Sequence, residues 1–363
     1  MEVGLWRDTL MGMHIVENWP LAPLTTFGVG GAARWFVEAT TEAEIEEAVE
    51  WAAERGVALF VLGGGSNLLV ADGGFDGLVV KDCVAGIEWL DAGDGAKILR
   101  TGAGVAWDHC VEQSLGLNCA GMECLAGIPG TVGGTPVQNV GAYGQEVASV
   151  IERVRAFDRG AREFVELSAA ECGFSYRRSR FNGADRGRFI VSRVDYRLTP
   201  NGAPTVKYAD VEREIARTQR GDDGPTLAEV AAAVRRIRRS KGMLIVEGDT
   251  DSRSAGSFFK NPVVSEETFE RIAAQGAAPP RFAAGMDAPE LVKLPAAWLI
   301  EHAGFAKGFA KGAAGISSKH TLALINRGGA SAAEIVALAE EIRCAVAERF
   351  GVELEMEPER VGF

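Results

Sequence analysis

From Gly127 to Glu146 the chain reads GIPGTVGGTPVQNVGAYGQE, twenty residues that hold six glycines. Such a stretch cannot be an ordinary helix or a buried strand, because each interior glycine costs about 0.5–1 kcal/mol relative to alanine and offers no side chain to pack. It is therefore a loop. Its plain reading is an Ω-like structural connector, and its functional reading is backbone brought close to a ligand. Two shorter stretches repeat the theme. GGGSNLLV follows directly on the strand-like VALFVL, and GAGVAW spans Gly102 to Trp107. Glycine makes up 45 of 363 residues, and 23 of these fall between Gly28 and Gly144. No fixed repeat spaces them, so they mark separate loops. A turn such as Gly63, Gly64, Gly65, Ser66, Asn67 at a strand's carboxyl end can aim consecutive N–H groups at a phosphate. Three such loops suit a long, diphosphate-containing cofactor laid across a domain junction. The GGGSN turn departs from G-x-G-x-x-G leading into a helix, so a Rossmann site is not the reading.

A chain of 363 residues exceeds one ordinary core, and two or three domains are expected. No run approaches the roughly 18 apolar residues of a membrane span, and the N-terminus lacks a basic-then-apolar leader. The expectation is a cytoplasmic protein with no membrane partner. A net charge of -12 argues against nucleic acid, whose phosphates recruit basic surfaces. Six cysteines without a C-x-x-C pair and only four histidines argue against a zinc site or a disulfide framework. No metal is expected. Cys344 lies among apolar residues and reads as buried packing.

Along the chain, residues 1–20 show no periodicity and read as an extension. RWFVEA, the helix Thr41 to Arg55 and VALFVL form an α/β unit. Thr41 and Glu44 make a capping box, Ile45, Ala48, Val49 and Ala52 share a face, and Gly56 stops the helix. From Cys83 to Asn201, strands alternate with glycine-rich turns. Thr226 and Glu229 cap a helix ending in the basic run RRIRRSKG, whose plain reading is cation placement at a helix C-terminus. A last α/β unit runs from TLALIN through a helix capped by Ser331 and Glu334 and closed by Gly351. The tail ELEMEPERVGF returns as a strand.

In this order and spacing, GGGSNLLV, GAGVAW, GIPGTVGG and QNVGAYG resemble the FAD-binding set of the UDP-N-acetylenolpyruvoylglucosamine reductase family, within the vanillyl-alcohol-oxidase-type flavoproteins. The resemblance runs from about Pro20 to the C-terminus. It implies an α+β fold with two α/β FAD-binding subdomains, 21–82 (joined by 355–363) and 83–240, and a third, substrate-binding α/β domain over 241–354. It also implies that Gly63, Gly64, Gly65, Ser66 and Asn67, with Gly127, Ile128, Pro129, Gly130, Thr131, Gly133 and Gly134, hold the FAD diphosphate. Gln138, Asn139 and Ala142 would lie near the flavin. The FAD is expected to be non-covalent, since His109 has no attachment motif around it.

Three polar groups would carry the chemistry. In SYRRSRF, a basic cluster that could be plain solvated surface, the resemblance makes Tyr176 a substrate contact and Arg177 the carboxylate binder. A guanidinium fork fixes a carboxylate plane by two parallel N–H bonds. In SAGSFFKNP, Ser257 reads as a turn residue or, by the resemblance, as the proton donor, and Asn261 as a uridine diphosphate contact. No G-x-S-x-G elbow suggests a hydrolase. In the terminal EPER, Glu357 and Glu359 are both candidates and could be plain exposed tail carboxylates, and the resemblance, which implies a catalytic glutamate after the proline, selects Glu359. A valine normally separating it from the next arginine is missing, which leaves Arg360 unassigned. Tyr208 in VKYADVEREI matches the family subgroup with an additional tyrosine loop, its plain reading being an edge aromatic. Lys241 ends the basic run and could reach a phosphate. Lys293 and Trp298, in VKLPAAWLIEHAG, match the uridine segment, where His302 replaces a glutamine common in the family. The implied reaction takes hydride from NADPH through FAD to an enolpyruvyl sugar nucleotide, a small-molecule substrate, in a monomer. The rivals are another FAD oxidase or dehydrogenase of the superfamily and a non-catalytic flavin- or nucleotide-binding protein.

Overall fold

The computed structural model describes residues 9–10, 13–218, 224–276, 278–284 and 290–363. Of the expected N-terminal extension, residues 1–8 and 11–12 lie outside the described residues. The chain divides into two compact units. The first takes the residues up to Trp19, Ala32–Gly65 and Phe75–Ser240; the second takes Pro20–Gly31, Ser66–Gly74 and Lys241–Phe363.

The first unit is built on two larger sheets. In one, the strands run in the order Val16–Pro20, Ala32–Ala39, Phe75–Asp82, Ala58–Leu62. The last three pair in parallel. Leu78, Val79 and Val80 are consecutive and all buried, as expected of a central parallel strand covered on both faces. The helix Glu42–Arg55 packs on this sheet through Ile45, Ala48, Val49 and Ala52, the face read from the sequence. Its Thr41–Glu44 capping box is formed, and Gly56 takes φ +61°. Val16–Pro20, where no periodicity was legible, is an edge strand with only a half-buried start, so alternation never shows. The other sheet is antiparallel around Phe189–Pro200, which pairs with Ile151–Asp158 and with Lys97–Gly102. Over it lie the helices Trp107–Gly116 and Leu227–Ser240, joined in one core by Trp107, Val111, Val230, Val234 and Tyr196.

The second unit is organised on the helix Ala332–Phe350, whose Ser331–Glu334 capping box and Gly351 stop (φ +66°) match the sequence reading. Asp72 adds to that cap, accepting from Ala332 N at 2.7 Å and Ala333 N at 3.0 Å. The apolar stripe is Ile335, Leu338, Ala339, Ile342, Val346 and Phe350. Cys344 is not part of it. Two residues past Ile342 is about 200° around a helix, and the thiol is exposed rather than buried as expected. The C-terminal strand Glu359–Val361 pairs in parallel with Leu68–Val70. Of the range 21–82 expected for one subdomain, residues 21–31 and 66–74 belong to the C-terminal unit.

Candidate active site

In the first unit the three glycine loops meet. Val132 N donates to Val105 O at 2.9 Å, Gly133 N to Ala103 O at 2.8 Å and Trp107 N to Gly130 O at 3.0 Å, so GAGVAW and GIPGTVGG form one backbone-built surface. The Gly63–Gly65 turn lies against it. A Cβ on Gly64 would stand 2.4 Å from Gly130 Cα and 2.9 Å from Thr131 N. Glycine at 64 is thus demanded by the loop it touches, not only by a ligand. Gly130 itself takes φ +127°, a region that side chains rarely adopt.

Charged side chains hold the surface from behind. Gly127 N donates to Asp108 Oδ1 at 2.7 Å, and Gly127 O accepts from Arg238 Nε at 3.0 Å. Arg235 ties Asp108 at 2.8 Å. The basic run therefore does more than place cations at a helix end: Arg238 is buried, and its pKa is lowered by that burial. Asp108 went unnoticed in the sequence, and Arg235 and Arg238 read there only as members of the basic run at a helix C-terminus. The only signal was their place, one residue past GAGVAW and within the capped helix.

Two observations test whether this surface suits a diphosphate. The Thr131 hydroxyl is buried with no hydrogen-bond partner among the described residues, a costly arrangement unless an acceptor is supplied. A Cβ at Gly134 would meet no protein atom within 4 Å, so the protein itself leaves room there. A diphosphate supplies an acceptor for the first and can use the space at the second. Ile128 and Pro129 lie half-buried in the same loop.

Beyond it, QNVGAYG folds back as a short hairpin pairing Gly141–Ala142 with Gln145–Glu146. Asn139, expected beside the flavin, is buried at φ +46° and engaged in holding the loop. Its Nδ2 donates to Glu146 Oε2 (2.9 Å) and Ser175 O (3.1 Å), and its Oδ1 accepts from Ala148 N (3.1 Å). Gln138 and Ala142 flank it, both half-buried. Against this hairpin sits the tight turn Ser175–Arg178, closed by Ser175 N to Arg178 O at 2.9 Å. Tyr176 and Arg177 are its two central residues. Arg177 takes φ +55°, where glycine or asparagine is usual, and its Nη2 donates to Gly141 O at 2.7 Å. An arginine kept in a strained turn points to function rather than to stability. Tyr208 is 49% exposed and meets Tyr143 edge to face, with ring centroids 5.9 Å apart.

In the second unit, Ser257 lies half-buried after Gly256 (φ +71°). The segment behind it is tied down: Phe258 N donates to Leu322 O at 2.7 Å, and Phe258 O accepts from Glu357 N at 2.9 Å. The tail carrying Glu359 thus runs beside the Ser257 segment. Asn67, expected to hold cofactor, grips this tail. Asn67 O accepts from Glu359 N at 2.9 Å, and Asn67 Nδ2 donates to Glu357 O at 3.3 Å. Ser66 O accepts from Thr26 Oγ1 at 3.4 Å in the same unit. Asn261 Oδ1 accepts from Ala296 N (3.0 Å), at the start of the helix bearing Trp298. The Trp298 ring stacks on His302 at 3.7 Å, and His302 Nδ1 lies 2.8 Å from Trp298 O. Lys293 sits mid-sheet between Val263 and Phe282, its cross-strand neighbours. Lys241 is half-buried near His320, whose pKa falls to about 4 through burial and the charges of Lys241 and Lys307. Arg360 is exposed, its guanidinium over the Phe363 ring at 5.7 Å.

The first unit, α+β in class, defines an FAD-binding protein. A family model described as an FAD binding domain matches residues 33–166. Residues 248–361 match the C-terminal domain of UDP-N-acetylenolpyruvoylglucosamine reductase. Reductases of that name from Thermobifida fusca (44% identical, 97% of this chain, 99% of the relative) and Streptomyces coelicolor (46%, 98% and 92%) align end to end. The crystal structure of the reductase from Thermus caldophilus superposes with a TM-score of 0.65 at 27% identity, covering 96% of this chain and 99% of the other. The chain belongs to the UDP-N-acetylenolpyruvoylglucosamine reductase family.

Proposed function

We propose that this chain reduces the enolpyruvyl ether of UDP-N-acetylglucosamine to UDP-N-acetylmuramate, with NADPH as electron donor, in the synthesis of peptidoglycan precursors. The observation that carries this reading is the end-to-end match to reductases of that name at 44% identity or more. Bound FAD supplies the two-electron relay between the nicotinamide and the vinyl carbon. Gly63–Gly65 and Gly127–Gly134 would hold its diphosphate, to which the Thr131 hydroxyl would donate. The rest of the chemistry falls to side chains.

Hydride addition to the terminal vinyl carbon leaves negative charge spread over the α-carbon and carboxylate. Arg177 binds that carboxylate in the plane of its guanidinium fork, and Glu359 is the second group assigned to stabilise the developing enolate. Ser257 delivers the proton that completes the α-carbon. Tyr176, Tyr208, Lys241, Asn261, Lys293 and Trp298 bind the sugar nucleotide, the lysines through charge and Trp298 through its ring face. We infer that the protein works as a cytoplasmic monomer on small molecules. Among the described residues, no helix is long and apolar enough to cross a membrane.

The test is a spectrum of the purified protein. Flavin absorbance should bleach on adding NADPH and return on adding the enolpyruvyl sugar nucleotide without oxygen. Protein that bleaches but recovers colour only in air would point instead to an oxidase of the same fold.

A further inference from the structure

Glu123 is 1% exposed and carries a carboxylate that the reaction as described does not use. A buried carboxylate is costly unless its oxygens are met by donors. Here three donors converge on it. Gln145 Nε2 and Thr205 N both reach Oε1 at 2.7 Å, and Gly121 N reaches Oε2 at 2.8 Å. The next residue grips the same two partners from the other side: Cys124 N donates to Gln145 Oε1 at 2.7 Å, and Cys124 Sγ donates to Thr205 O at 3.1 Å. Glu123 and Cys124 together thus pair with the whole amide of Gln145 and with both backbone groups of Thr205.

Those two partners belong to separate segments. Gln145 is in the hairpin that carries Tyr143 and whose Gly141 carbonyl accepts from Arg177. Thr205 lies in the irregular stretch 202–208 that leads to Tyr208. The segments meet beyond the clamp, where Tyr143 and Tyr208 stack edge to face and where a Cβ on Gly144 would stand 3.3 Å from Lys207 Cβ. Only an acceptor with no hydrogen of its own satisfies three inward-pointing donors at once. A glutamine of the same shape would turn an N–H toward one of them.

We propose that Glu123 is a positioning residue for the sugar nucleotide: through Gln145 and Thr205 it sets the hairpin 141–146 and the segment 205–208 so that Tyr208 stands where it contacts substrate. The inference rests on reading Tyr208 as a substrate contact. The test measures substrate affinity and the two half-reactions in Glu123→Gln, Tyr208→Ala and the double variant. Glu123→Gln should weaken sugar-nucleotide binding by about tenfold or more, the scale of a lost hydrogen bond to a charged group. FAD content and the rate of flavin reduction by NADPH should stay within about twofold of the parent, a split that general loosening would not produce. In the Tyr208→Ala background the same substitution should add less than about twofold, since its route is already cut. Unchanged affinity in Glu123→Gln, or an effect that multiplies undiminished onto Tyr208→Ala, overturns the proposal. Unchanged affinity in Tyr208→Ala alone overturns the reading of Tyr208 and the proposal with it. Should Glu123→Gln fail to fold, Gln145→Met removes only the hairpin's share of the clamp and carries the same expectations.

Discussion

The two units present their proposed functional groups in different ways. In the first, the surface proposed for the cofactor is made of backbone: Ala103–Trp107 and Gly127–Gly134 bond to each other through main-chain groups and Gly63–Gly65 lies against Gly130, while Asp108, Arg235 and Arg238 only hold the loops in place. In the second, the groups are side chains on short separate elements, Ser257, Asn261, Lys293, Trp298 and Glu359, and backbone pairing merely brings their segments alongside. A backbone surface tolerates almost no side chain and so leaves a mark in composition. A side-chain site asks for one residue at each of several distant positions, and each has an ordinary explanation.

The comparison can be broken at its strongest point. Gly64→Val should abolish FAD loading, because its Cβ would enter the backbone of Gly130 at 2.4 Å and the two loops would part. Gly134→Val is the matched control. Its Cβ meets no protein atom, so the apoprotein should keep its thermal stability while FAD affinity falls about tenfold or more. Apoprotein titrated with FAD reads both, and full FAD affinity in Gly134→Val would remove that residue from the cradle.

A side chain set on a strained turn should behave otherwise. Arg177→Lys keeps the charge and loses the planar fork, and reoxidation of flavin by substrate should slow by about 10–100-fold with reduction by NADPH little changed. Arg177→Gly should go further in activity yet raise thermal stability, since glycine accepts φ +55° without strain. A stability loss in that variant would assign Arg177 a structural role.

The smallest effect concerns stability alone. Asp82, at the carboxyl end of a central strand, is buried, and that burial raises its carboxyl from 3.8 to about 7 despite a hydrogen bond from Val84 N. A raised carboxyl pKa contributes stability that is fully present below the unfolded value near 4 and is lost as pH climbs to about 7. Asp82→Asn should therefore stabilise the protein at pH 8 by an amount on the order of 1–3 kcal/mol and by far less at pH 4. Thermal unfolding at the two pH values checks it, and an equal gain at both would show that charge burial is not the cause.

Much of the frame was legible in the chain. The helices 42–55 and 332–350 are announced by capping boxes, an apolar face and a glycine stop, signals that are local and so survive without tertiary context. The glycine loops were legible as loops. What escaped was set by tertiary packing. The edge strand at residues 16–20 has too little burial to alternate, and Cys344 turns away from a stripe that its apolar neighbours suggested. Asn139 and Asn67 sit inside cofactor-like motifs, yet their amides hold backbone, one to the 175 turn and the other to the tail that carries Glu359. Arg238 looked like a surface cation because nothing in a basic run reveals which member is buried.

The division of labour between a backbone cradle for the flavin and side chains for the substrate is tested most directly by stopped-flow absorbance of Ser257→Ala. Only the second half-reaction needs a proton at carbon, so flavin reduction by NADPH should stay within about threefold of the parent while reoxidation by the enolpyruvyl sugar nucleotide falls about 100-fold or more. That drop corresponds to about 2.7 kcal/mol of transition-state stabilisation. Ser257→Cys should recover part of it. Equal slowing of both half-reactions, or reoxidation at the parent rate, would contradict the account and return Ser257 to the role of a turn residue.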